Sequence, residues 1–177
     1  MKNNVVIRPA RLADAADLSA LMRRTFLAAN GHCSTSENIT AFLDTTYRTE
    51  LQAREIRDPD TLTLIVEQDG QWAGFAQLRW GTTPPAEVGP LPTVELGRIY
   101  LDAAFHGRGI AAQLVANLLV AASLRGSRSV WLSVWQEAAQ AIRFYRKHGF
   151  EIVGRSVFLV GDDPKQDWVM TQALPQG

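Results

Sequence analysis

Apolar positions recur along this chain with two different periods, and the switches between them mark out its elements. Val5, Val6 and Ile7 form a short opening strand over residues 4–8, closed by Pro9. From Asp14, a capping residue type, the period lengthens. Leu18, Leu21, Met22, Thr25 and Phe26 then recur at helical spacing as far as the helix-breaking pair Asn30-Gly31. Ser34-Thr-Ser-Glu37 has the form of a capping box, and Ile39, Phe42, Leu43 and Tyr47 follow on one helical face. A further turn or two, capped by Thr49, carries Leu51 and Ile56 to a break at Asp58-Pro59.

A period of two takes over at Leu62, Leu64 and Val66. Asp69-Gly70 supplies a hairpin turn, and Trp72 to Trp80 returns antiparallel. Residues 81–92 hold four of the eight prolines and two glycines, which predicts a loop, and such loops are usually functional or disordered. Residues 93–102 read as a central strand. The helix from about Gly109 to Leu124 shows Ile110, Leu114, Leu118 and Ala121/Ala122 on one face. In the strand Ser129 to Trp135, Val130, Leu132 and Val134 face one way while Trp131, Ser133 and Trp135 face the other. Glu137 to His148 is a short helix stopped by Gly149. Two closing strands, Phe150 to Leu159 and Asp167 to Leu174, are joined through Gly161-Asp-Asp-Pro164.

The order β-α-α-β-β-β-α-β-α-β-β has no repeat and no linker, so it predicts one α/β (α+β) domain over residues 1–177. The Asp69-Gly70 hairpin argues against a doubly wound nucleotide fold. Neither Gly-x-Gly-x-x-Gly nor Gly-Lys-Ser/Thr is present, which removes dinucleotide and nucleoside triphosphate readings.

Composition narrows the function without naming it. Hydrophobic residues make up 46% of the 177 and charged ones 20%, an ordinary globular mixture. Eighteen basic and eighteen acidic residues cancel, so no global field favours nucleic acid or an anionic membrane. The single Cys33 excludes an internal disulfide and a Cys-rich zinc site. The opening apolar run is too short for a signal peptide, and no window approaches the 18 or so apolar residues of a membrane span. A cytoplasmic enzyme with neither nucleic-acid nor membrane partners is expected. Along the chain the charge is uneven: Arg98 to Arg155 holds eight basic and three acidic residues.

The most informative run is Glu95-Leu-Gly-Arg-Ile-Tyr-Leu-Asp-Ala-Ala-Phe-His-Gly-Arg-Gly-Ile-Ala111 and the helix it opens. A strand, a turn with two glycines and a bare helix N-terminus form a place where backbone N–H groups hold phosphate. Gly107, Gly109 and the small Ala111 keep Cβ atoms away from the anion. The helix dipole adds about 1 kcal/mol where partly buried.

His106-Gly-Arg-Gly-Ile-Ala111 resembles the Gln/Arg-x-x-Gly-x-Gly/Ala signature of the GCN5-related N-acetyltransferases (GNAT). Glu95 to Leu101 resembles that family's fourth strand, and Phe144-Tyr-Arg-Lys-His-Gly-Phe150 its late Phe-Tyr-x-x-x-Gly-Phe segment. With Ile7-Arg8-Pro-Ala and Gly154, the similarity spans nearly the whole chain. It implies the GNAT fold, a mixed and mostly antiparallel sheet of about six or seven strands flanked by about four helices. It also implies acetyl-CoA as co-substrate. Ile99, Tyr100 and Leu101 would line the pantetheine arm, His106, Gly107, Arg108, Gly109, Ile110 and Ala111 would hold the diphosphate, and Phe144 would lie beside the cofactor. The strand carrying Ser133 would splay from the central strand. Two positions depart from the pattern: His106 stands for the usual Gln or Arg, and Ala138 for an Asn that helps hold the cofactor, a contact left to Gln136 or Gln140.

By the same resemblance, Tyr145 is the general acid that protonates the leaving thiolate, and Glu95, or water, is the base. An N–H of Ile99 or Leu101 would polarise the thioester carbonyl. The residues alone leave Tyr145 open as an aromatic anchor, and Glu95 open as a solvated strand-end charge or a partner of Arg98. His32-Cys33 lacks a carboxylate partner for nucleophilic chemistry. Asp162-Asp163 reads as a polar turn, so no metal is expected. The five tryptophans read as mostly core.

For the acceptor, Thr25-Phe26, Asn30, Ser36-Glu-Asn38 and Phe158 to Met170 resemble the bacterial polyamine and small-amine branch. An amine groove between the N-terminal helices and the 81–92 loop would offer Glu37, Asp44, Glu50 and Glu87 to a cation, with Arg48, Arg54 and Arg57 offsetting them. A protein N-terminus or lysine as acceptor, a non-catalytic acetyl-CoA sensor, and a homodimer as well as a monomer all stay open.

Overall fold

The computed structural model describes residues 4–175. Seven strands, β1 (Val5–Pro9), β2 (Thr61–Gln68), β3 (Gln71–Arg79), β4 (Thr93–Leu101), β5 (Ser129–Trp135), β6 (Glu151–Val160) and β7 (Asp163–Ala173), form one sheet in the order β1-β2-β3-β4-β5-β7-β6. Only β4 and β5 run parallel. Five α-helices flank the sheet among the described residues: α1 (Ala15–Asn30), α2 (Ser36–Thr46), α3 (Thr49–Arg57), α4 (Ile110–Leu124) and α5 (Ala139–Lys147). None is long and apolar enough to cross a membrane among the described residues.

Strand alternation sorts the core onto the two sheet faces. Leu64, Val66, Ala76, Leu78, Val94, Leu96, Val130 and Leu132 pack under α4 and α5 through Ile110, Leu114, Leu118 and Ile142. On the opposite face, Ile65 and Phe75 meet Leu18, Leu21, Met22, Phe26, Ile39, Phe42 and Leu43 of α1 and α2. The 81–92 loop covers the far half of that second face, with Val88 seated on Trp131 and Val169. Between the N-terminal helices and this loop Ser133 of β5 stays exposed, which leaves an open groove on the second face.

Several local expectations shift. Asp14 does not cap α1 with its side chain; it pairs with Arg8 at 2.8 Å and accepts the Arg11 N–H at 2.6 Å. Thr35, rather than Ser34, caps α2 by accepting the Asn38 N–H at 3.3 Å. The Asp69-Gly70 hairpin forms, both residues having positive φ (53° and 80°), the geometry that matches strand twist. β7 begins at Asp163 instead of Asp167, so the final hairpin turns on Gly161-Asp162 alone. Of the five tryptophans only Trp131 is buried; the other four are half-exposed.

Two irregularities in β4 matter for the site. Gln77 pairs with Arg98 and Leu78 with Leu96, so Gly97 is bulged out of the ladder. Parallel pairing to β5 covers only Thr93, Val94 and Glu95, opposite Ser129, Val130 and Trp131. Beyond that point the two strands part, as expected for the strand carrying Ser133.

Candidate active site: a splayed strand pair and an anion-binding turn

The turn after β4 is held from below and bare above. Asp102 accepts the Ala104 N–H at 3.2 Å, starting a 3-10 turn at Ala103–Phe105 whose Phe105 is buried. Gly107 and Gly109 then take φ of 74° and 75°. An L-residue in this left-handed region is strained by about 1–2 kcal/mol. A Cβ built on either glycine meets nothing within 4 Å, so the chain leaves open space where the backbone faces outward. Gly109 caps α4 without any side-chain hydrogen bond, and the N–H groups of Gly107, Arg108, Gly109, Ile110, Ala111 and Ala112 donate to no backbone acceptor among the described residues. Consecutive free donors at the start of a 15-residue helix suit a diphosphate.

The side chains here brace the turn. The His106 ring Nε2 lies 3.1 Å from the Leu101 carbonyl, tying the strand end to the turn. Arg108 donates to Gln68 Oε1 at 3.2 Å and to the Ala104 carbonyl at 2.9 Å, with its guanidinium over the Phe105 ring. Ile110 points into the core, while Ala111 is half-buried. At the α5 end, Ala138 occupies the N-cap with no side-chain oxygen to offer.

Where β4 and β5 part, Ile99, Tyr100 and Leu101 have β3 on one side and no strand on the other. Tyr100 points to the α1 face. Its ring stacks on Phe75 at 5.9 Å, and its hydroxyl accepts from Asn30 Nδ2 at 3.1 Å. Tyr145, on α5, sets its ring edge-on to Phe144 and Phe150 at 5.5 and 5.8 Å. Burial pushes its hydroxyl pKa up, so the proton stays on it at neutral pH. It lies near enough to act electrostatically on Tyr100, and burial raises Tyr100 as well.

Glu95 sits half-buried on the groove face, level with Trp131 and opposite Arg79 of β3. The Glu95–Arg98 pairing weighed from sequence does not form. Arg98 instead donates to Glu55 of α3 at 2.8 Å and lies over the Tyr47 ring. Arg79 and Gln77 complete this cluster: Gln77 reaches Glu55 at 3.0 Å, and Arg79 donates to Gln77 at 2.8 Å. Glu55 descends between the two arginines, and Glu95 makes no ion pair among the described residues.

Other expected groups scatter. Asp44 is held by Arg23 at 2.8 Å, Glu37 and Glu50 are exposed, and Glu87 lies over β6 at Gly154. His32 and Cys33 line a cavity of about 450 Å³ with Trp135, Gln136, Glu137, Pro164, Lys165 and Gln166. Burial raises the Cys33 pKa, which keeps the thiol protonated. No group of ligands suited to a metal occurs among the described residues, and Asp163 pairs with Lys165 at 2.8 Å.

Sequence reasoning missed Asp167. It is 5% exposed, its Oδ1 has no hydrogen-bond partner, and desolvation pushes its pKa up to about 6. The available signal was the alternation Lys165-x-Asp167-x-Val169, which puts an acid in line with the buried Val169.

The model of the Acetyltransferase (GNAT) family matches residues 24–150. An uncharacterised N-acetyltransferase of Mycobacterium tuberculosis is 34% identical over 163 residues, covering 92% of this chain and 99% of the relative. The N-alpha-acetyltransferase RimI of the same organism is 35% identical over 102 residues, 57% of this chain and 59% of the relative. Among solved structures, the PaiA N-acetyltransferase of Thermoplasma acidophilum in complex with coenzyme A superposes with a TM-score of 0.77 at 20% identity, covering 96% of this chain and 99% of that one.

Proposed function

Because the chain belongs to the GNAT family of acetyltransferases and is an acetyl-CoA-dependent N-acetyltransferase, we propose that it transfers acetyl directly to a small primary amine. In this reading Tyr145 is the general acid, and Glu95, or water beside it, is the base. The observation that carries it is the parting of β4 and β5 just beyond Glu95, a half-buried carboxylate on the groove face that makes no ion pair among the described residues.

The chemistry fixes what these groups must do. An alkyl ammonium with a pKa of about 10.4 yields its neutral form at pH 7 at a cost of roughly 4–5 kcal/mol. Glu95 or its water takes that proton. The amine nitrogen then bonds to the thioester carbonyl carbon, polarised by an N–H of Ile99 or Leu101, the C–S bond breaks, and the acylated nitrogen releases its second proton to solvent. The thiolate takes the Tyr145 proton, and Tyr145 regains one from solvent. Desolvation raises the basicity of a thiolate in the same slot, so donor and acceptor shift together. The free N–H groups of residues 107–112 hold the diphosphate, and the braced His106 and Arg108 keep that turn fixed.

Thiol release over an amine panel tests the proposal. Tyr145→Phe should lower kcat on the best amine by about a hundredfold, within the range of general acid catalysis, with CoA affinity unchanged. If CoA binds but no amine accelerates thiol release, the chain is a sensor. If peptide N-termini outrun every small amine, the acceptor is a protein.

A further inference from the structure

One bulge decides which N–H groups of β4 face the opening toward β5. Asp102 donates its N–H to the Ala73 carbonyl at 2.8 Å, and Tyr100 and Arg98 stand in the same phase opposite Phe75 and Gln77. Antiparallel bonding alternates, so Ile99 and Leu101 turn their N–H groups away from β3, to the side where no strand lies. Upstream the phase differs: Leu96 and Glu95 face Leu78 and Arg79, one residue out of step across Gly97. With that extra residue ironed out, Ile99 would stand opposite Phe75 and Leu101 opposite Ala73, and β3 would take up both donors.

Side chains on either flank of Gly97 hold the bulge. A Cβ on Gly97 would stand 3.2 Å from Arg79 Nε and 3.3 Å from its Cδ and Cζ, so the arginine lies against the bare glycine. Arg79 donates to Gln77 at 2.8 Å and reaches Glu55 of α3 at 3.4 Å. Arg98, on the far side of the bulge, donates to the same carboxylate at 2.8 Å. Gln77, its cross-strand neighbour, is buried and donates to Glu55 at 3.0 Å. Burial lowers the Arg79 pKa, Arg98 adds to that cost, and Glu55 offsets it. An apolar side chain would fill this space at less cost if packing were all that mattered.

We infer that Arg79 is a positioning residue: seated on Gly97 and joined through Glu55 to Arg98, it fixes the bulge that aims the Ile99 and Leu101 N–H groups at the thioester carbonyl. The inference rests on the carbonyl polarisation in the reading above and does not depend on which amine is the acceptor.

Infrared spectroscopy of acetyl-CoA with an isotope-labelled carbonyl, bound at saturation with no amine present, tests it. A hydrogen bond to the carbonyl oxygen weakens the C=O bond, so the wild type should lower its stretching frequency below that of the free thioester. Arg79→Met should return the band toward the free position. Its kcat for thiol release should fall about a hundredfold, the scale of a group misplaced by about 1 Å. Gly97→Ala, whose methyl would meet the guanidinium, should move the band the same way, and adding it to Arg79→Met should change nothing further. A band that stays put in Arg79→Met while Tm falls would make Arg79 a scaffold and overturn the inference. Should that variant fail to fold, Gly97→Ala decides, and an unmoved band there overturns it too. An unshifted wild-type band sinks this inference and leaves the acceptor to the amine panel; a shifted band with no amine accelerating thiol release sinks the small-amine reading alone.

Discussion

Replacing Asp167 by Asn should stabilise the protein at alkaline pH and do so less in acid. The carboxyl pKa is raised from 3.8 to about 6, with desolvation the cause. A group whose folded pKa lies above its unfolded value contributes fully to stability below the unfolded pKa. That contribution is lost as pH rises through the folded pKa. Here the window is from about pH 4 to pH 6, and the loss amounts to roughly 2–3 kcal/mol at 1.36 kcal/mol per pKa unit. Asn carries an unpartnered amide of its own, so the difference between two pH values isolates the charge better than one measurement does. In a domain of this size, 1 kcal/mol shifts Tm by about 2–4 °C. Thermal unfolding of wild type and variant should therefore show a Tm difference that moves in the variant's favour by about 4–12 °C between pH 4 and pH 8. A difference that is the same at both pH values would refute the reasoning, because Asp167 would then titrate alike in the folded and unfolded chains.

Three further outcomes follow from other parts of the structure. Glu55→Gln leaves Arg98 and Arg79 facing each other without their shared carboxylate, and denaturant unfolding should show a loss of about 3 kcal/mol. Ala138→Asn gives α5 a capping oxygen, which should add about 1 kcal/mol by the same assay. If Ala138 also marks a missing cofactor contact, that variant should tighten CoA binding in calorimetry, and an unchanged affinity assigns position 138 to capping alone.

Hydrophobic periodicity made most of the fold legible, and the exceptions have physical causes. Pro164 within a polar stretch reads as a turn, yet it lies in β7. The first residues of β7 pair only with β6, on the hairpin that extends past β5, so the missing N–H of proline costs no ladder bond toward β5 there. Tryptophan content suggests core, but Trp72, Trp80 and Trp168 are half-exposed and each carries a guanidinium over the ring, from Arg8, Arg125 and Arg155. The two-glycine turn before α4 was legible because glycines at positive φ leave their mark in sequence. The partners of charged residues were not. Glu95 and Arg98 look paired along one strand, and only the fold brings Glu55 from α3 between Arg98 and Arg79. Asp167 looked like a strand end because its neighbours in space come from β5 and β6.

The central claim is that unpaired N–H groups at residues 107–112 grip the diphosphate of CoA, and titration calorimetry with CoA on wild type and Gly109→Val tests it most directly. Valine cannot adopt φ near 75° without strain, so the donors must move. Wild type should bind CoA, and the folded variant should bind it at least about tenfold more weakly, the loss expected for one or more charge-assisted hydrogen bonds. Equal affinities, or no binding heat from wild type at millimolar CoA, would contradict the account.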